Sequence, residues 1–135
     1  MLYTASYYNP EHWHGKSYRI SRAHPRGRTT NWDVQPFFYP SRRILALYRD
    51  EKMNFTDFSE EYRVELQTNY DWEACFQDWL GALKPEEDFT LLCFEPAGDN
   101  CHRRVAAAWL LDKIPELGPG PVSYTHLTLP TILLV

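Results

Sequence analysis

Cys101, His102 and Arg103, with Glu95 six residues before them, are the residues whose types could support a reaction. A thiol in the first turn of a helix lies at the positive end of the helix dipole, which favours the thiolate. His102 and Arg103 add positive charge, and a helix N-terminus is suited to binding phosphate or carboxylate. Cys101 is therefore a candidate nucleophile or polar contact, and Glu95 a candidate base. The same residues also fit a structural turn followed by solvated arginines.

The elements around these residues predict a strand, a tight turn and a helix. Phe89 to Phe94 is a short apolar run between turn signals, as expected of a buried strand. Cys101 to Lys113 has helical periodicity, and Asp99 or Asn100 could cap its start. Open α/β sheets place their ligand sites at such a junction, so we expect the site at the carboxyl end of this strand.

The run LLCFEPAGDNCHRR, followed by an alanine-rich helix, resembles the signature of domain-of-unknown-function family 488. The resemblance extends over roughly Leu2 to Leu117 and includes an upstream helix, Glu60 to Thr68, with Tyr62 near its start. It implies an α/β fold and a site but no established reaction. The site residues that follow from it are Cys101, His102 and Glu95 as catalytic groups, with Arg103, Arg22, Ser21 and Thr4 as ligand-binding groups.

Taken in order, the chain predicts a single three-layer α/β domain with a small, mostly parallel sheet and flanking helices. We expect the strands at Leu2–Tyr8, Lys16–Ala23 and Phe89–Phe94. Ser41 should cap a first helix, and Asp57 and Glu60 form a capping box for a second.

The clearest helical stripe consists of Trp72, Cys75, Phe76, Trp79, Leu80 and Leu83. Its spacing predicts one helix, capped by Asp71, with Cys75 as a core thiol. Cys93, inside the apolar strand, is likewise predicted to be a buried structural residue. Trp79 and Trp109 each lie on an apolar helical face and are predicted to belong to the core.

Composition narrows the class of protein. A net charge of −4, with basic residues mostly scattered, argues against a general nucleic-acid coat protein. Three cysteines in no disulfide or common zinc pattern favour free thiols and a cytoplasmic location. No apolar run is long enough to span a membrane. A metal bound by Cys101 and His102 is not favoured, because adjacent helical residues point in different directions.

The last residues differ in character from the rest. Gly118 to Pro121 alternates glycine and proline, and Val122 to Val135 resembles translated sequencing-adapter read-through. We therefore expect the domain to comprise residues 1–117, with residues 118–135 as a non-native tail.

Two function classes fit these residues, and the sequence leaves the cofactor unknown. The first is a small enzyme acting on a phosphate-bearing or nucleotide-like ligand at Glu95 and Cys101–Arg103. The second is a non-catalytic nucleotide or nucleic-acid binding module that uses the same helix terminus and the basic cluster Arg22–Arg28. A deep pocket at Cys101 favours the enzyme, and a shallow basic groove favours the binding module.

Overall fold

The computed structural model describes residues 1–30, 32–94 and 101–118 of the chain. Within those residues, one sheet is formed by β1 (Leu2–Ser6), β2 (Lys16–Arg19), β3 (Asp33–Val34) and β4 (Phe89–Cys93). The strand order is β1-β4-β2-β3, and each neighbouring pair is parallel. The α/β class with a small parallel sheet is thus confirmed, and the late strand β4 occupies an interior position.

Four α-helices are described: α1 (Arg42–Arg49), α2 (Phe55–Trp72), α3 (Ala74–Gly81) and α4 (His102–Lys113). Short 3-10 turns lie at Pro10–His12, Pro36–Phe38 and Pro115–Leu117. Each α-helix contributes to one hydrophobic cluster, which also contains Phe89 and Leu91 of β4. No helix in the described ranges has the length and apolarity needed to cross a bilayer.

The opposite face of the sheet is covered by a second, aromatic cluster. Successive strand residues point to opposite faces, so Leu92 lies away from Leu91. Leu92 packs with Ala5 and Tyr7, and this group is covered by Trp13, Trp32 and Phe94 from the connecting segments. Helices thus form the layer on one side, and aromatic residues of the connections cover the other.

The predicted strands are slightly too long at their carboxyl ends. The segments expected to continue to Tyr8, Ala23 and Phe94 end as strands at Ser6, Arg19 and Cys93. β1 ends together with β4, since Ser6 lies opposite Cys93, and β2 ends one residue earlier, with Arg19 opposite Leu92.

Ser41 caps α1 as predicted, and its hydroxyl accepts a hydrogen bond from the Ile44 amide at 3.3 Å. The predicted capping box at Asp57 is wrong, because α2 begins earlier. The Asn54 side chain accepts from the Asp57 amide at 2.8 Å, which places Asp57 inside the first turn. An aspartate there still interacts favourably with the helix dipole.

The predicted stripe from Trp72 to Leu83 is interrupted, and the core assignment of Cys75 is wrong. α2 continues through Trp72, and Glu73 then adopts an extended conformation (φ −112°, ψ 112°) before α3 begins. This break changes the helical phase, so Phe76 and Leu80 are buried whereas Cys75 is exposed. Trp72 is 83% exposed.

Residues 119–135, which include most of the predicted tail, lie outside the described part of the chain. Gly118 still contacts the domain, since its carbonyl accepts a hydrogen bond from the Leu2 amide at 3.0 Å, and Leu117 is buried. We expect a protein truncated after Gly118 to keep the melting temperature of the full chain. A drop of several degrees, which for a domain of this size is on the order of 1 kcal/mol, would show that the tail packs on the domain.

Candidate functional site

Cys101 lies where the main sequence motif predicts, between the end of β4 and the start of α4. It is the N-cap of α4, with extended backbone angles (φ −153°, ψ 147°), and helical angles begin at His102. The predicted caps Asp99 and Asn100 lie outside the described residues. Cys101 is only 3% exposed, and His102 is also buried.

A cavity of about 220 Å³ opens beside these two residues. Its walls come from the ends of β2 and β4, the start of α4 and the α1–α2 region. The lining residues are Ser21, Arg22, Ala23, Pro40, Leu45, Tyr48, Phe55, Phe58, Cys93, Phe94, Cys101 and His102. Two pairs of predicted site residues that are far apart in the chain, Ser21–Arg22 and Cys101–His102, thus share one cavity.

The ring of His102 is oriented by neighbouring groups. Its Nε2 lies 2.9 Å from the carbonyl oxygen of Ile20, which can only accept, so Nε2 carries the hydrogen. Nδ1 then faces Cys93 Sγ at 3.5 Å. Tyr62, whose hydroxyl donates to the Phe38 carbonyl, packs its ring edge-on against His102 at a centroid distance of 5.6 Å. Tyr62 is therefore a positioning residue for the imidazole.

The electrostatic environment favours the thiolate at Cys101. Burial raises the pKa of this thiol, but the hydrogen bond from Cys93, the interaction with His102 and the positive charge of Arg103 together lower it by more. The net effect is a Cys101 pKa well below its ordinary value. This direction agrees with the position of Cys101 at the helix N-terminus.

Cys93 is the site residue that the sequence reasoning missed. Its predicted burial is confirmed, but its thiol also lines the cavity. The ligand atoms of Cys93, Cys101 and His102 all lie within 4.8 Å of one another, a spacing that could accommodate a thiophilic cation. Adjacent residues within a helix point in different directions and rarely bind one metal ion. This does not exclude Cys101 and His102, because Cys101 precedes the helix. The sequence feature that could have identified Cys93 as a site residue is its location at the carboxyl end of its strand.

Ser21 and Arg22, which directly follow Ile20, form another part of the cavity wall. The Ser21 hydroxyl lies 2.6 Å from the Tyr7 hydroxyl and donates to the Ala23 carbonyl at 2.9 Å. Burial is the main cause that raises the pKa of Tyr7, so its phenol stays protonated. Arg22 donates from Nε to the Pro40 carbonyl at 3.1 Å. This hydrogen bond holds the Arg22 side chain against the cavity wall.

The remaining predicted site residues do not line the cavity or are not described. Arg103 is 1% exposed and contributes positive charge near Cys101. Thr4 is buried in β1 opposite Leu91, two residues before Ser6, which pairs with Cys93. Glu95 lies outside the described residues, so its role as a base stays a prediction.

The exposure of Cys75 changes the alkylation result that the sequence would suggest. Native protein should be labelled at Cys75, so Cys101 is best measured in a Cys75→Ser variant. We expect the labelling rate of Cys101 by iodoacetamide to rise with pH along a curve whose midpoint lies below the roughly 8.5 of a free thiol, because its thiolate is stabilised. A rate that still rises steeply through pH 9 would contradict a stabilised thiolate.

A comparison with protein families gives one match. The family model described as "DUF488-N3a: Active DUF488-N3 subclade" matches residues 2–114, which include the strands, the four helices and the cavity. No curated protein and no solved structure matches the chain.

Proposed function

Because this chain belongs to the DUF488 family, we propose that it is an enzyme acting on a phosphate-bearing or nucleotide-like small molecule bound beside Cys101. The observation that carries the proposal is the cavity in which Cys101 and His102 meet Ser21 and Arg22. A pocket at the thiol favours an enzyme over a binding module with a shallow groove. The description of the matching subclade as active agrees with this reading.

The cavity walls suggest the two parts of the ligand. Tyr48, Phe55 and Phe58 form an aromatic wall, with ring centroids 5.1 to 5.9 Å apart, which suits a planar ring such as a nucleobase. Arg22 and the N-terminus of α4 favour an anionic group. A nucleotide-like molecule combines both features in one ligand.

Cys101 supplies the nucleophile in this proposal. Its thiolate sulfur provides the electron pair for a new bond to the electrophilic carbon or phosphorus of the ligand, and the leaving group departs with the pair of the broken bond. The leaving group takes a proton from water, and the resulting hydroxide displaces the ligand from sulfur. The thiolate is thereby restored, and the net reaction is hydrolysis.

The cytoplasm is the compartment that we propose for this chemistry. The cysteines at 75, 93 and 101 are all present as thiols, and a reducing compartment keeps cysteines in that state.

Arg22→Ala should weaken binding of a nucleoside monophosphate by about 10- to 100-fold, because a charge-assisted hydrogen bond contributes about 1.5 to 3 kcal/mol. The measurement is the ligand-induced rise in melting temperature across a panel of nucleotides and sugar phosphates. Arg26→Ala is the matched control, since Arg26 is an exposed arginine of the same basic cluster that does not line the cavity.

Turnover of the best ligand, followed by mass spectrometry, tests the enzymatic step. Wild-type protein should convert the ligand, whereas Cys101→Ser should bind it without conversion. Binding without conversion by the wild type would instead support the non-catalytic module. A panel in which no ligand stabilises the protein, or in which Arg26→Ala weakens binding as much as Arg22→Ala, would count against this site.

A further inference from the structure

Two thiols at this site, Cys93 and Cys101, are close enough to react with each other. Both are reduced and buried, and both line the same cavity. Their sulfur atoms lie within 4.8 Å. A disulfide requires about 2.05 Å, so the sulfurs must approach by at most about 2.8 Å. The third cysteine, Cys75, is exposed and lies outside this group.

We infer that Cys93 and Cys101 form a reversible oxidation site, in which a hydroperoxide oxidises Cys101 and Cys93 closes the disulfide. The cavity beside the thiols gives a small oxidant such as hydrogen peroxide a route to sulfur. The inference concerns the thiol pair itself and does not depend on the proposed hydrolytic activity.

The first step is assigned to Cys101 because of its position. It occupies the N-cap position of α4, whose positive end stabilises a thiolate, and the thiolate is the form that reacts with peroxide. Its sulfur attacks one peroxide oxygen, so that an S–O bond forms and the O–O bond breaks. Hydroxide leaves and takes up a proton, which yields a sulfenic acid at Cys101 and one water.

The second step is assigned to Cys93 because His102 is placed to accept its proton. Nε2 of His102 donates to the Ile20 carbonyl at 2.9 Å, which leaves Nδ1, 3.5 Å from Cys93 Sγ, as the accepting nitrogen. The Cys93 sulfur then attacks Cys101 Sγ, so that the S–S bond forms and the S–O bond breaks. The released hydroxide takes the proton from His102 and becomes water.

The overall change is two thiols and one hydrogen peroxide to one disulfide and two waters. The peroxide accepts the two electrons that the sulfurs lose. A thiol reductant such as dithiothreitol returns both cysteines to the reduced form by thiol–disulfide exchange.

The test uses the full chain carrying Cys75→Ser, freed of metal with a chelator and treated with hydrogen peroxide. We expect the intact mass to fall by two hydrogen atoms, and peptide mapping to show a bond between Cys93 and Cys101 that dithiothreitol reverses. With Cys93→Ser added, Cys101 should remain a sulfenic acid that dimedone captures. With Cys101→Ser added instead, dimedone capture at Cys93 should be about tenfold slower or more.

Unmutated protein supplies an internal comparison, because the exposed Cys75 should oxidise about tenfold more slowly than Cys101.

The inference is overturned if peroxide yields no bond between Cys93 and Cys101 in chelated, folded protein, or if Cys75 is oxidised first. It is also overturned if Cys93→Ser shows no trapped sulfenic acid. If a serine variant fails to fold, the peptide map of the Cys75→Ser protein alone decides the outcome. Absence of hydrolysis in protein that does form the disulfide would concern only the proposed function.

Discussion

Replacing Gly15 with alanine is expected to destabilise the domain by about 4 kcal/mol, the sum of a strained backbone and a steric clash. Gly15 has φ of +65°, a conformation that alanine adopts only at a cost. A Cβ there would overlap the carbonyl oxygen of Asp88 and lie 2.5 Å from its carbonyl carbon. Asp88 directly precedes β4 and pairs with the Met1 amino group at 3.0 Å, so it cannot move without disturbing the sheet.

Gly27→Ala separates the two causes of that loss. Gly27 has φ of +77°, but no atom of the described residues lies within 4 Å of the position that its Cβ would take. Only the backbone cost of about 1 kcal/mol should therefore appear. Urea denaturation of both variants gives the two free energies of unfolding. Similar losses in both would show that the close approach of Asp88 does not constrain this turn.

Trp109→Ala should cost about 3–5 kcal/mol, a large part of the roughly 5–15 kcal/mol that typically stabilises a domain. Trp109 is 6% exposed, as its predicted core position requires. Its ring lies 5.3 Å from Phe76 and 5.7 Å from Tyr70, and its indole N–H donates to Gln67 at 3.3 Å. Removal of the ring therefore leaves a cavity between α2, α3 and α4.

Trp72→Ala is the matched control for that substitution. The Trp72 side chain is 83% exposed, so its loss should change the free energy of unfolding by no more than about 0.5 kcal/mol. Chemical denaturation followed by circular dichroism measures both variants without relying on tryptophan fluorescence. If Trp109→Ala kept full stability but lost ligand binding, Trp109 would belong to the site and its assignment to the core would be wrong.

The sequence predicted β4 and α4 well because local signals define both elements. β4 is a short apolar run between turns, and α4 has clear helical spacing up to Lys113. The prediction of a single helix with Cys75 in the core was wrong for a local reason too. One extended residue, Glu73, separates two helices, and periodicity alone cannot show a break of a single residue.

The candidate site was predictable only in part, because the fold brings together residues from distant segments. Cys101 and His102 carry their own local signal, whereas Ser21 and Arg22 were identified through the family resemblance. Cys93 in an apolar strand looks the same in sequence whether it is structural or faces a cavity. Only the packing of the helix N-terminus against the strand's end distinguishes the two cases.

The position of β4 inside the sheet constrains the order in which the chain can fold during synthesis. β1 and β2 both pair with β4, which follows them by about 70 residues or more. At typical synthesis rates, β1 waits roughly 4 to 17 seconds before its partner strand is made. Until then its backbone groups present an open strand edge, to which chaperones or other chains can bind. Because the cavity depends on the end of β4, the thiol site also forms only in the last stage of folding.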